Sequence, residues 1–147
     1  ILGDLYQFRD LTPINKKFLK LVSKKKAKIE SITDLIFSLK VVKHLKSNAV
    51  VFVKNKKTLG IGAGQMSRID STNIAHSKAK KFNISLKNCV MASEAFFPFR
   101  DNVDLAKKIG VSSIIQPGGS VKDKEIISIS DKHKISMVFS GVRVFKH

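Results

Sequence analysis

A layered α/β domain is the fold class this sequence predicts, and three observations predict it. Short apolar runs suited to buried strands alternate with longer stretches of helical spacing, from about residue 18 to residue 139. Punctuating residues, above all Gly110 and Gln116-Pro117-Gly118-Gly119-Ser120, fall between them. At 147 residues the chain is sized for one domain, able to bury roughly two thirds of its unfolded surface.

Taken in order, Ile1 to Asn15 has no clear period, and Thr12-Pro13 marks a turn before an expected strand at Phe18 to Val22. Lys24 to Glu30 is a lysine-rich connector. Ser31 with Asp34 three residues on resembles a capping box and predicts a helix over about 31–46, with Leu35, Leu39 and Val42 on its apolar face. Ala49 to Val53 suits a buried strand, and Lys54 to Lys57 turn the chain into a second strand, Thr58 to Ile61. Gly60, Gly62 and Gly64 alternate, which clears one face for close approach by a ligand or another backbone. Their spacing matches neither the dinucleotide fingerprint nor a P-loop. Ser67 to about Lys81 reads as a helix with Arg68 near its positive end, an unfavourable place for a cation unless an anion offsets it. Cys89 to Ala92 is a short strand, and a helix from about Asn102 stops at Gly110. Val111 to Ile115 is a strand, Ser120 with Asp123 is expected to cap a helix through about His133, and Ile135 to Phe139 closes the series.

Composition removes several function classes. No apolar run approaches the roughly 18 residues of a membrane span, and there is no signal-peptide pattern. Cys89 is the single cysteine, so an internal disulfide and a multi-cysteine zinc site are both excluded; the expected location is cytoplasmic and the expected role of Cys89 is core packing. Zinc-deaminase, nucleophile-elbow and H-E-x-x-H patterns are missing, and no histidine stands out as a base. His44 and His133 fall at predicted helix C-termini, where a charge–dipole role is expected. A net charge of +17 points toward polyanions, yet only Arg9, Arg68, Arg100 and Arg143 among 28 basic residues are arginine, the type that reads phosphate and base edges bidentately. The lysines look scattered, which argues for a solvated surface and against polymeric nucleic acid. The first residue, Ile1, is not Met, so the chain is expected to begin inside a longer protein.

The most distinctive stretch is Ser93-Glu94-Ala95-Phe96-Phe97-Pro98-Phe99-Arg100-Asp101-Asn102. Neither a period of 2 nor one of 3.6 fits its phenylalanines, so it reads as a shaped loop, with Asp101 or Asn102 placed to cap the following helix. Two readings stay open. The loop displays aromatic faces at a helix N-terminus, which suits a flat anionic ligand, or Phe96, Phe97 and Phe99 plug the core.

Read with Lys46-Ser47-Asn48-Ala49, Gly60 to Arg68, Gln116 to Ser120 and Arg143-Val144-Phe145-Lys146-His147, that loop resembles the C-terminal part of the bifunctional purine-biosynthesis family that joins AICAR transformylase to IMP cyclohydrolase. The resemblance runs in order across essentially the whole chain. It implies a three-layer α/β/α, cytidine-deaminase-like fold without its zinc, with residues 1–147 forming the second half of the transformylase domain. It also implies transfer of a formyl group from 10-formyltetrahydrofolate to AICAR, followed by cyclisation to IMP elsewhere in the longer protein. By carry-over, Asn48 and the Phe96 backbone hold the carboxamide, Arg68 faces the nucleotide and Arg143 pairs with its phosphate. Ile69, Pro98, Phe99, Asp101 and Ser120 line the folate side. The family's catalytic Lys-His pair would lie upstream; Lys43-His44 stands in the wrong motif context. The chain alone is therefore expected to be inactive. The resemblance further implies a homodimer with sites between subunits, and a potassium ion near Glu94, where the family commonly has Asp. Lys146 also departs from the family's usual His or Arg. The rivals from other classes are a basic nucleic-acid-binding module and an inactive structural remnant.

Overall fold

The computed structural model describes Gln7, Pro13, Ile14 and residues 16–147. Thr12 of the expected early turn lies outside the described residues. Six strands form one sheet: β1 (Lys20–Leu21), β2 (Val50–Lys54), β3 (Lys57–Gly62), β4 (Val90–Ser93), β5 (Ser113–Gln116) and β6 (Ser136–Phe139). Four α-helices accompany them among the described residues: α1 (Ile29–Val42), α2 (Arg68–Lys81), α3 (Asp101–Ile109) and α4 (Asp123–Lys132). The strand order is β1-β6-β5-β4-β2-β3. β4, β5 and β6 are parallel, with α3 and α4 as their crossovers, whereas β2 runs antiparallel to β4 and β3, and β1 antiparallel to β6.

Helices cover both faces, as a parallel core requires. Along β2, Val50 and Phe52 point to one side, where they pack with Ala75 and Ala79 of α2, Val103 and Ala106 of α3 and Ile126 of α4. Val51 and Val53 point to the other side, against Leu35, Leu39 and Val42 of α1. Because both faces are buried, the strand reads as an unbroken apolar run rather than an alternation. The three-layer α/β/α arrangement expected from the sequence is the observed one.

The glycines resolve in favour of a backbone neighbour. A Cβ on Gly62 would lie 1.8 Å from the Ser71 carbonyl oxygen, and one on Gly60 would lie 2.4 Å from that of Ala75. Both atoms belong to α2, which presents small residues, Ser71, Ala75 and Ala79, to the strand. The cleared face of β3 is thus filled by a helix, not by a ligand.

Several boundaries differ from expectation for local reasons. α1 starts at Ile29 after Lys28, without a side-chain cap, so the Ser31-Asp34 box does not form. Asp34 instead accepts the Asn55 and Lys56 N–H groups at 2.8 Å each. Those two residues have φ of 52° and 54°, a tight hairpin turn whose inward N–H groups need an acceptor. The helix ends at Val42, four residues before the expected end. Of the strand expected at 18–22 only Lys20–Leu21 pairs, preceded by a 3₁₀ turn over Lys16–Phe18. α3 follows Arg100 without a side-chain cap; Asp101 Oδ1 accepts the Asn102 N–H at 2.7 Å inside the first turn. α4 begins at Asp123, and Ser120 serves the preceding turn by accepting the Lys122 N–H at 3.1 Å. Ser67 does cap α2, accepting from the Asp70 N–H, and Gly110 ends α3 in the left-handed region at φ 94°.

Candidate functional site

The antiparallel pairing of β2 with β4 decides where the site forms. Val50 faces Ser93, so Ala49 and Asn48, which lead into β2, come beside Glu94, which follows β4. Asn48 and Glu94 are therefore neighbours although 46 positions separate them in the chain. Arg68, the first residue of α2, reaches into the gap between them. One of its terminal nitrogens donates to Asn48 Oδ1 at 2.9 Å and to Glu94 Oε1 at 2.8 Å, and the other donates to the Phe96 carbonyl at 3.0 Å. Arg68 is 7% exposed and Glu94 0%, so this is a buried ion pair inside a hydrogen-bonded cluster. The anion that Arg68 needed near a helix N-terminus is supplied by the protein itself. Asn48 is held from its other end, its Nδ2 donating to the Gln65 and Met66 carbonyls at 2.9 and 3.2 Å.

The chain after β6 then crosses the strand ends in the order of the sheet. Ser140 N–H donates to Gln116 at the end of β5, Val144 N–H to the carbonyl of Glu94 after β4, and the Lys146 carbonyl accepts from Ser47 before β2. This crossing carries Arg143 over the Phe96 ring, with Cζ 4.5 Å from the centroid, a cation–π contact. Arg143 is exposed. A Cβ on Gly119 would come within 3.9 Å of an Arg143 terminal nitrogen, so the loop holding Gly119 and Ser120 stands beside the same guanidinium.

The two readings of the aromatic loop are each right for part of it. Phe97 is 0% exposed and plugs the core, its N–H donating to the buried Gln116 Oε1 at 2.9 Å. Phe99 is 62% exposed, and Phe96 and Pro98 are half-buried. Asp101 is tied back to the cluster: it accepts from Asn102 Nδ2, Asn102 Oδ1 accepts from the Thr72 hydroxyl at 2.6 Å, and that hydroxyl reaches the Arg68 carbonyl at 3.1 Å. Ile69, half-buried, is the next residue of the same helix turn. Asn48, Arg68, Phe96 and Arg143 are thus directly linked, while Ile69, Pro98, Phe99, Asp101 and Ser120 lie on the loops and helix starts that follow β3, β4 and β5.

Glu94, Thr72, Asn102 and Gln116 were not singled out as side-chain partners by sequence reasoning. A signal was present for one of them, since Glu94 is a lone carboxylate in an apolar loop and therefore in need of a cationic partner. A potassium ion at Glu94 does not fit the donor set. Arg68 already neutralises the carboxylate, and the other oxygen accepts from Ser93 at 3.2 Å. Among the described residues no group of three or more His, Cys, Asp or Glu side chains could hold a metal. Burial pushes the Cys89 thiol up to about 12, consistent with a packing role. His133, expected to act on a helix dipole, also bonds Asp104 at 2.6 Å. Asp104 is held down at about 2, first by the Arg100 hydrogen bond and then by His133. None of the described helices is long and apolar enough to cross a membrane.

Comparison with known proteins bears on the fold and the family. The dCMP deaminase of cyanophage S-TIM5, in its apo form, superposes with a TM-score of 0.50 at 12% identity, covering 76% of this chain and 98% of that one, which shows a shared fold. The bifunctional purine biosynthesis protein PurH of Aquifex aeolicus (strain VF5) is 50% identical over 142 residues, 97% of this chain. PurH of Persephonella marina (strain DSM 14350 / EX-H1) is 52% identical over 145 residues, 99% of this chain. In both cases the chain spans 28% of the relative's length. A profile of the AICARFT/IMPCHase bienzyme family matches residues 1–78, more than half of the chain, and to that family the chain belongs.

Proposed function

We propose that residues 1–147 are the C-terminal part of an AICAR transformylase domain and form one half of its nucleotide-and-folate cleft, in a longer cytoplasmic enzyme that also carries IMP cyclohydrolase activity. The observation that carries this reading is the buried clamp of Arg68 on Asn48, Glu94 and the Phe96 carbonyl, with Arg143 laid over the Phe96 ring. Asn48 Oδ1 keeps a lone pair beyond the one Arg68 uses, which suits an amide N–H of the AICAR carboxamide, and the fixed Phe96 backbone offers its N–H to the carboxamide oxygen. Arg143 is exposed and presents a fork of donors matched to the nucleotide phosphate. Arg68 directs both terminal nitrogens into the protein, so it positions Asn48 and Phe96, and its buried Nε–H, without a partner in the chain, is the donor it would turn to the nucleotide. On the folate side, Phe99 and Pro98 present an apolar wall to a flat pteridine, and Ile69, Asp101 and Ser120 complete it.

The reaction joins the weakly basic aromatic amine of AICAR to the formyl carbon of 10-formyltetrahydrofolate, while the bond from that carbon to N10 breaks and N10 takes up a proton to leave as tetrahydrofolate. The amine must lose a proton as the C–N bond forms, and the formyl oxygen must be stabilised as charge builds on it. A Lys-His pair upstream of Ile1 would supply both, across a homodimer interface. The 147 residues alone are accordingly expected to show no turnover. In the longer protein, Arg143→Ala should raise KM for AICAR at least tenfold while leaving KM for the folate within twofold, and Phe99→Ala should do the reverse. Steady-state formyl transfer measured against each substrate in turn would overturn the reading if both variants changed both constants alike, or if the purified 147 residues turned over.

A further inference from the structure

The lysines that look scattered in the sequence are sorted by the fold. Lys54, Lys56 and Lys57 surround the β2–β3 turn, and Lys78, Lys80 and Lys81 occupy the last turn of α2. Lys107 and Lys108 close α3, Lys132 and Lys134 flank the end of α4, and Lys87 leads into β4. All these segments lie at one end of the sheet, because β4, β5 and β6 start there together and Val53 of β2 pairs with Val90 of β4. All of these lysines except the half-buried Lys54 are exposed. The described arginines, Arg68, Arg100 and Arg143, belong to loops and helix starts at the opposite end, with the cleft.

Little opposes this charge. Among the described residues four carboxylates stand near this end against the eleven lysines: Asp34, buried and accepting the N–H groups of the β2–β3 turn, Asp131, which accepts the Lys24 N–H at 2.7 Å, Asp104, paired with Arg100 and bonded to His133, and Glu30. Each of the three helix C-termini there contributes only about half a negative charge, so the macrodipole accounts for a minority of the lysines. Like charges packed within a Debye length of about 8 Å repel one another and destabilise the folded chain, and a polyanion laid across them relieves that cost. Between Lys81 and Lys87 stand Phe82, 70% exposed, and Ile84, an aromatic face among cations.

We infer that this lysine-lined end of the sheet is a docking surface for single-stranded nucleic acid, gripped through its phosphates with Phe82 as a stacking platform for a base. The surface has ammonium groups and no arginine forks, so it contacts phosphates and does not read base edges. Binding is therefore insensitive to sequence and sensitive to salt. An anionic membrane fits less well, since among the described residues only three large apolar side chains, Phe82, Ile84 and Ile29, are exposed here against eleven lysines. The surface lies away from the cleft and stands whether or not the cleft has the function proposed above.

The test is fluorescence anisotropy of a labelled twelve-nucleotide oligouridine titrated with the 147-residue chain between 50 and 300 mM salt. With one phosphate neutralised at each of the four lysine clusters on α2, α3, α4 and the β2–β3 turn, the log–log salt slope should be about −3. Lys80→Glu with Lys81→Glu should weaken binding at least tenfold, and Phe82→Ala about threefold or more. Lys46→Glu with Lys122→Glu removes the same charge at the cleft end and should weaken it less than threefold. Lys80→Gln with Lys81→Gln, read beside a thermal melt, covers the case in which the glutamates disturb α2. Equal losses from the two charge-matched pairs, a slope near zero, or tighter binding to phosphatidylserine vesicles than to the oligonucleotide would each overturn the proposal.

Discussion

Replacing Arg68 by Met tests the structural claim beneath the site. The substitution keeps an unbranched apolar stem and removes three hydrogen bonds, to Asn48, Glu94 and the Phe96 carbonyl, all between 2.8 and 3.0 Å. What it leaves matters more than what it removes. Glu94 is fully buried, and its remaining partner is the Ser93 hydroxyl at 3.2 Å, so an uncompensated carboxylate stays in the interior. Breaking a buried pair in this way costs about 3–5 kcal/mol, a large share of the roughly 5–15 kcal/mol that holds a domain together. Arg68→Met combined with Glu94→Leu removes both charges and should recover most of the loss, because burying two apolar groups carries no desolvation penalty. Urea unfolding at constant m-value measures both. A single-variant loss below about 1 kcal/mol, or a double variant whose loss is the sum of its two singles, would refute the reasoning.

Gly62→Ala should cost at least about 3 kcal/mol in the same assay, since the methyl would sit 1.8 Å from the Ser71 carbonyl oxygen and α2 would have to lift from β3; an unchanged midpoint would show that the helix is not seated there. Asp104 titrates at about 2 in the folded chain, below its ordinary 3.8, so the stability it contributes is complete above about pH 4 and is lost as the pH falls toward 2. The pair is partly exposed and solvent-screened, so that contribution is about 1 kcal/mol or less, and the gap in urea midpoint between the wild type and Asp104→Asn should narrow from pH 6 to pH 3. The Cys89 thiol, buried and pushed up to about 12, should react with a disulfide reagent only in denaturant; labelling of the native chain at the rate of a free thiol would contradict its burial.

Features set by neighbours in the chain were legible in the sequence. The apolar run of β2, the helix that follows Ser67 and the Gly110 stop of α3 depend on residues within a turn or two of each other, and the structure places them close to where they are read. Features set by distant partners were not. Ser31-Asp34 has the spacing of a cap, but Asp34 is claimed by N–H groups 21 and 22 residues further on, and α1 starts without it. A strand over 18–22 fits the local pattern, yet at the edge of the sheet only Lys20 and Leu21 fall in register with β6, with Val22 adding one bond to the Met137 carbonyl. The alternating glycines show that something approaches closely without saying what, and the approaching group is the α2 backbone.

The same distinction separates the two arginines nearest the Phe96 loop, which are identical as residue types in the sequence. Arg68 begins α2, and side chains at a helix start lean back toward the N-terminal end, here into the gap where the start of β2 passes the end of β4. That gap contains the fully buried Glu94, so a guanidinium entering it must pair; its two terminal nitrogens do so, and its buried Nε–H is left without a partner. Arg143 arrives on a segment that runs outside the strand ends, held by the Val144 N–H to the Glu94 carbonyl, and its fork stays in solvent over the Phe96 ring. Glu94 thus fixes both: its carboxylate turns one arginine inward to stiffen the loop, and its carbonyl anchors the strand of chain that holds the other outward. Of the two arginines Arg143 is therefore the exposed one, on a platform whose position the buried pair sets.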